Sequence, residues 1–144
     1  LGGSSPQTGV VAQTEHLPIY KRSYDLCLYL ERVVRGFSRY HKYTLGADLR
    51  EGARRVLKLI VRANARLDKV PLLLEVREEV EQLKVVLRLC QDVKAFGNFR
   101  AFEQAIEQAV EIAKQNEGWL RSQRQGHGQS RRAMPERPAA PGAP

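Results

Sequence analysis

The chain has 144 residues, 42% of them hydrophobic and 28% charged, a mixture too apolar for a wholly disordered chain and of a size for one domain. Lys plus Arg outnumber Asp plus Glu by 24 to 16, so the net charge is +8 and a polyanion such as nucleic acid is a partner worth testing. The longest apolar run, residues 26–30, excludes a membrane-spanning helix, which needs about 20 apolar residues, and residues 1–16 lack the basic and apolar regions of an export signal. With only Cys27 and Cys90, and no CxxC spacing, neither a disulfide framework nor a zinc site is expected, and the sequence predicts a cytoplasmic protein.

Composition divides the chain into three parts. Residues 1–16 lack periodicity and predict a disordered N-terminal segment. Residues 122–144 hold four of the seven prolines and three of the eleven glycines, with four arginines against one glutamate, and predict a disordered basic tail. The middle, residues 17–121, reads as four helices. The first runs from Pro18 to about Phe37, with Ile19, Ser23, Leu26, Leu30, Val33 and Phe37 at steps of three and four. A loop through Arg39 and His41 leads to Thr44, a candidate N-cap, and to a second helix ending near Leu67, with its seam at Leu45, Leu49, Ala53, Val56, Ile60, Ala63 and Leu67. The third follows the Asp68 cap candidate and Pro71, aligns Val76, Val80, Leu83, Leu87 and Cys90, and stops near Gly97. The fourth opens at the Asn98 cap and runs through Phe102, Ile106, Ala109, Ala113 and Leu120. Short connections make sequential helices antiparallel neighbours, so the expected fold is all-α, an up-down four-helix bundle.

No catalytic or metal chemistry is legible. The histidines, His16, His41 and His127, form no His-x-x-x-His or Glu-x-x-His pair, and no glycine-rich phosphate loop occurs, so no cofactor and no enzyme activity are expected. Glu103, Glu107 and Glu111 read as a solvated acidic face, Cys27 and Cys90 as small core residues, and Asn64 as a polar spot that fixes register.

Charge is more informative than any motif. Residues 38–67 carry eight cations against two anions, whereas residues 68–95 carry five against six and residues 96–121 three against four. Arg50, Arg54, Lys58, Arg62 and Arg66 recur at steps of four. At about 100° per residue the line drifts roughly 40° per step and, with Arg55, centres nearly opposite the apolar seam. Like charges at that spacing repel, and a polyanion relieves the repulsion; acidic helices of the same or another subunit are the alternative. Arg39 and Lys42 extend the patch. The rings of Tyr40 and Tyr43 beside them suit either stacking on unpaired bases or packing against the end of the first helix.

A second anomaly is apolar residues facing away from the seams. Leu74, Val85 and Leu89 on the third helix, and Tyr24 and Leu28 on the first, call for a second burial, most simply an oligomer interface. Trp119, beside the seam position Leu120, is expected to close the bundle end or join that interface.

The stretches Leu17-Pro18-Ile19-Tyr20 with Tyr24-Asp25-Leu26, Lys42-Tyr43-Thr44-Leu45-Gly46 with Leu49, Arg62-Ala63-Asn64, Leu87-Arg88-Leu89 and Gly118-Trp119-Leu120 resemble, in order and spacing, the accessory variability determinant (Avd) proteins of diversity-generating retroelements. Four-helix proteins encoded in ribosomal RNA intervening sequences share the pattern. The resemblance covers residues 17 to 122. It implies a barrel-like homopentamer with a basic surface that binds the element's reverse transcriptase and template RNA and supports error-prone cDNA synthesis. The chain departs from the pattern in Asn116-Glu117-Gly118-Trp119, where a double glycine before the tryptophan is expected, and in its Arg/Pro tail. The other class of function left open is an oligomeric helical scaffold whose basic face pairs with an acidic protein partner.

Overall fold

Four long helices and one helical turn make up the fold in a computed structural model, which describes residues 14–142, with side chains through residue 126. They are α1 (Pro18–Arg35), α2 (Arg39–Lys42), α3 (Leu45–Asn64), α4 (Val70–Asp92) and α5 (Phe99–Gly142). No strand occurs among the described residues. α1 packs on α3 and α5, and α4 packs on α3 and α5, so α1 and α4 stand diagonally across an up-down bundle, as do α3 and α5.

The core follows the apolar seams. Leu26, Leu30, Leu49, Ile60, Leu73, Leu87, Ile112 and Leu120 are fully buried, and the predicted α4 seam from Val76 to Cys90 is buried throughout. The seam of α1 runs through Val34, with Val33 only half-buried, and that of α5 through Ala105 and Ile112, with Ile106 and Ala113 at its margin. Both shifts are one position wide, because a helix seam broader than 100° admits either neighbour and only the facing helix decides between them.

Helix ends differ more. The first helix stops at Arg35, where the Gly36 amide bonds back to Val33 O, although Phe37 beyond it is still buried. The expected loop at Arg39 to His41 is the helical turn α2. Thr44 does not cap α3 through its side chain; its hydroxyl instead donates to Tyr40 O at 3.0 Å and His41 O at 3.3 Å, closing the α2 turn. α3 ends at Asn64, not near Leu67, which is 99% exposed. A cation caps its C-terminus: the Lys69 ammonium donates to Ala63 O, Asn64 O and Arg66 O. Lys69 also occupies the N-cap position of α4, the place assigned to Asp68.

α4 stops at Asp92, well before Gly97. Lys94 takes the left-handed conformation (φ 62°), and the amides of Lys94 and Ala95 return to Gln91 O and Cys90 O at 3.0 and 2.8 Å. The C-terminal turn that glycine usually makes is thus made by lysine. Asn98 caps as expected, its Oδ1 accepting from the Ala101 amide at 2.9 Å. Where the sequence reading ends the last helix by residue 121, α5 runs on to Gly142. The N-terminal segment expected to be disordered, residues 1–16, lies almost wholly outside the described residues.

Candidate nucleic-acid interface

α3 buries Leu49, Ala53, Val56, Leu59, Ile60 and Ala63, and this spacing turns Arg54, Arg55, Lys58 and Arg62 to solvent, with Arg50 half-buried beside them. The basic line therefore faces outward, but neighbouring helices split it. Glu31 of α1 stands between Arg50 and Arg54, at 3.7 and 3.1 Å. Arg55 leans the other way, onto Glu79 of α4 at 3.0 Å and Glu51 of its own helix at 3.8 Å. Lys58 and Arg62 are exposed and make no ion pair among the described residues. Arg66 is exposed past the end of α3 and does not continue the helical line. Pairs as exposed as Arg54 and Glu31 are worth at most about 1 kcal/mol, so these guanidinium groups can exchange a carboxylate for a phosphate.

Glu31 and Glu79 are the residues that sequence reasoning missed. Charge balance alone points to the acidic third and fourth helices for counter-charges, whereas one of the two lies on the first. Its position on the flank of α1 that meets α3 becomes visible only once the seam is fixed by burial. Cys27 lies on the same flank, half-buried. Burial pushes its thiol up to about 11, Arg54 draws it down, and Glu31 raises it. Cys90 is buried in the core, its thiol also pushed up to about 11 by burial and then by Asp48. Both thiols therefore stay protonated near neutrality, which suits packing and not nucleophilic attack.

At the end of the bundle where α2 lies, Arg39, Tyr40 and Tyr43 are exposed and Lys42 half-exposed. Across the fold, Arg77 of α4 grips Glu117 of α5 through two 2.8 Å hydrogen bonds, which hold the Glu117 carboxyl below its ordinary range. That pair lines a groove of about 430 Å³ together with Val110 and Ala113. Among the described residues no group of three or more His, Cys, Asp and Glu side chains is placed to hold a metal ion, and no helix is long and apolar enough to cross a membrane.

The residues assigned to an oligomer contact fall into two sets. Tyr24 and Leu28 on α1, and Val85 and Leu89 on α4, are exposed on the outer faces of two diagonal helices, and Tyr24 stacks on Tyr20 with ring centroids 5.9 Å apart. Leu74 and Trp119 instead are half-buried against the core of the same chain, so their apolar surface is partly satisfied without a second copy. Asn64 is hydrogen-bonded as expected, its Nδ2 donating to Thr14 Oγ1 at 3.0 Å.

No curated protein and no solved structure matches this chain. A family model described as bAvd-like matches residues 17–123, the span of α1 to α4 and the bundle portion of α5. Helix order and this match agree: the chain belongs to the bAvd-like family, a family of accessory, non-catalytic proteins.

Proposed function

We propose that the chain is a nucleic-acid-binding accessory subunit that associates with the reverse transcriptase of a diversity-generating retroelement and its template RNA, in the cytoplasm, and supports mutagenic cDNA synthesis. The observation that carries the reading is the pair Lys58 and Arg62, two cations on the outer face of one helix that make no ion pair among the described residues, flanked by Arg54 and Arg55 in exchangeable surface pairs. Side chains so placed follow phosphates without reading bases, which suits a partner chosen by backbone and shape.

The subunit acts as a homo-oligomer, a barrel-like pentamer as the resemblance implies. The apolar faces of α1 and α4 point to opposite sides of the protomer. When the α4 face of one copy meets the α1 face of the next, the contact is head-to-tail, and such contacts close into a ring when the rotation allows. Repetition around a ring arrays the basic faces of α3 for one extended polyanion.

Reversing Lys58 and Arg62 to Glu tests the function. Affinity for RNA and for duplex DNA falls together, and the slope of log K against log salt flattens by about 0.9 for each lost duplex phosphate contact. An unchanged affinity and slope in a correctly assembled oligomer would remove α3 from the interface. A second reading, a scaffold for an acidic protein, draws on the intrachain pairs of Glu31 and Glu79 with Arg54 and Arg55, since a partner's carboxylates have the same chemistry. Pull-down of the co-expressed reverse transcriptase with and without nuclease separates the two, because nuclease disrupts only a nucleic-acid bridge.

A further inference from the structure

The end of the bundle built by α2 and the loop at 93–98 carries side chains that the α3 face does not use. From Arg35 to Ala47 the chain holds no carboxylate, and Arg39 and Lys42 make no ion pair among the described residues. The contrast with Arg50, Arg54 and Arg55, each held by a glutamate, is direct. Between those two cations and just after them stand aromatic rings turned to water: Tyr40 is 81% and Tyr43 68% exposed.

The backbone beneath the rings is fixed. The Thr44 hydroxyl closes the turn onto Tyr40 O and His41 O, and a Cβ at Gly46 would come within 3.2 Å of His41 O and 3.3 Å of the Phe37 ring. The two loops of this end are one surface, because Phe37 and Phe96 meet edge to face at 5.4 Å. Phe96 passes the contact to Phe102 and Phe102 to Phe99, which is 59% exposed and followed by exposed Arg100. Rings held out from a rigid turn, interleaved with unneutralised cations, match the chemistry of an unpaired strand, whose bases offer flat faces and whose backbone repeats a negative charge. A duplex hides those base faces in its own stack.

We propose that this end binds a single-stranded segment of RNA or DNA, with Tyr40 and Tyr43 stacking on unpaired bases and Arg39, Lys42 and Arg100 holding phosphates. The proposal rests on the nucleic-acid-binding reading above and adds to it a preference for unpaired nucleotides, with a site separate from the α3 face.

The test measures fluorescence anisotropy of a labelled single-stranded RNA, the same sequence as single-stranded DNA, and a blunt duplex, on the full chain. The expected result is tighter binding of the single strands. In the Tyr40→Ala/Tyr43→Ala variant single-strand affinity drops about tenfold or more for each ring while the duplex is little affected, and Tyr40→Phe/Tyr43→Phe retains the wild-type preference. RNA and DNA arms that fall together place the recognition in base faces and phosphates; an RNA-only loss adds the 2′-hydroxyl and still supports the site. Equal loss on the duplex, or no loss at all, overturns it. A wild-type chain that binds none of the three probes defeats the nucleic-acid reading itself, whereas one that binds all three alike, tyrosines irrelevant, defeats only this proposal. Photocrosslinking of a 5-iodouracil oligonucleotide to the unmutated chain gives a readout independent of variant folding: crosslinks map to Tyr40 or Tyr43 if the site is right, and to Tyr24 or Trp119 alone if it is wrong.

Discussion

Asn116 occupies a core position that helical spacing gives to an aliphatic side chain. It is fully buried, its Nδ2 donates to Leu73 O at 2.9 Å, and its Oδ1 meets no hydrogen-bond partner among the described residues. Ser23 on α1 is likewise buried, its hydroxyl without a hydrogen-bond partner among the described residues. A buried polar atom left unpaired costs about 1–3 kcal/mol, so Asn116 does not serve stability; polar core residues of this kind serve register. Replacing Asn116 with Leu, nearly its equal in shape, is therefore expected to leave the melting temperature unchanged or raise it, while Asn116→Ala opens a cavity and lowers it. A Leu variant destabilised by more than about 2 kcal/mol in thermal denaturation would show that the amide is worth more than its one bond.

At the scale of elements, the junction of α1, α2 and α3 depends on one missing methyl group. A Cβ on Gly46 would lie 2.6 Å from Val34 Cγ1 and 3.2 Å from His41 O, and neither can give way easily, one being a branched side chain inside a helix and the other backbone. Gly46→Ala should gain up to about 1 kcal/mol in helix propensity and lose about 1–3 kcal/mol to the clash, a net loss read by urea denaturation. Because this junction carries Tyr40 and Tyr43, the same substitution should weaken single-strand binding before it unfolds the bundle. A fully stable Gly46→Ala variant would mean that the α2 turn moves freely on α3.

For the whole molecule, the exposed faces matter more than the core. Val85 is 66% and Leu89 45% exposed in the single chain, so Glu at both positions costs a monomer little, on the order of 0.5 kcal/mol each. In an oligomer that buries them, two added charges break the contact. Val85→Glu/Leu89→Glu is thus expected to shift the mass in light scattering from a multiple of 16.3 kDa to 16.3 kDa, with circular dichroism unchanged. A wild-type chain already monomeric at micromolar concentration would defeat the oligomer reading directly.

The sequence by itself determined the helices, their order and their buried sides, because each follows from local spacing: the α4 seam from Val76 to Cys90, the Asn98 cap and the outward turn of Arg54, Lys58 and Arg62 were all legible. Helix ends were less so, since they depend on backbone turns such as that at Lys94, for which lysine gives no warning, and on a distant cation such as Lys69. Only the tertiary structure decided which charges are spent. Glu31 and Arg54 lie 23 residues apart, and Arg55 and Glu79 lie 24 apart. Whether a carboxylate on one helix reaches a guanidinium on the next depends on the rotation of both about their axes, which the packing of Leu30, Ala53 and Val80 sets and no local pattern encodes. The same packing half-covers Leu74 and Trp119 but leaves Val85 and Tyr40 in water, since the first pair leans toward neighbouring helices and the second faces away from them.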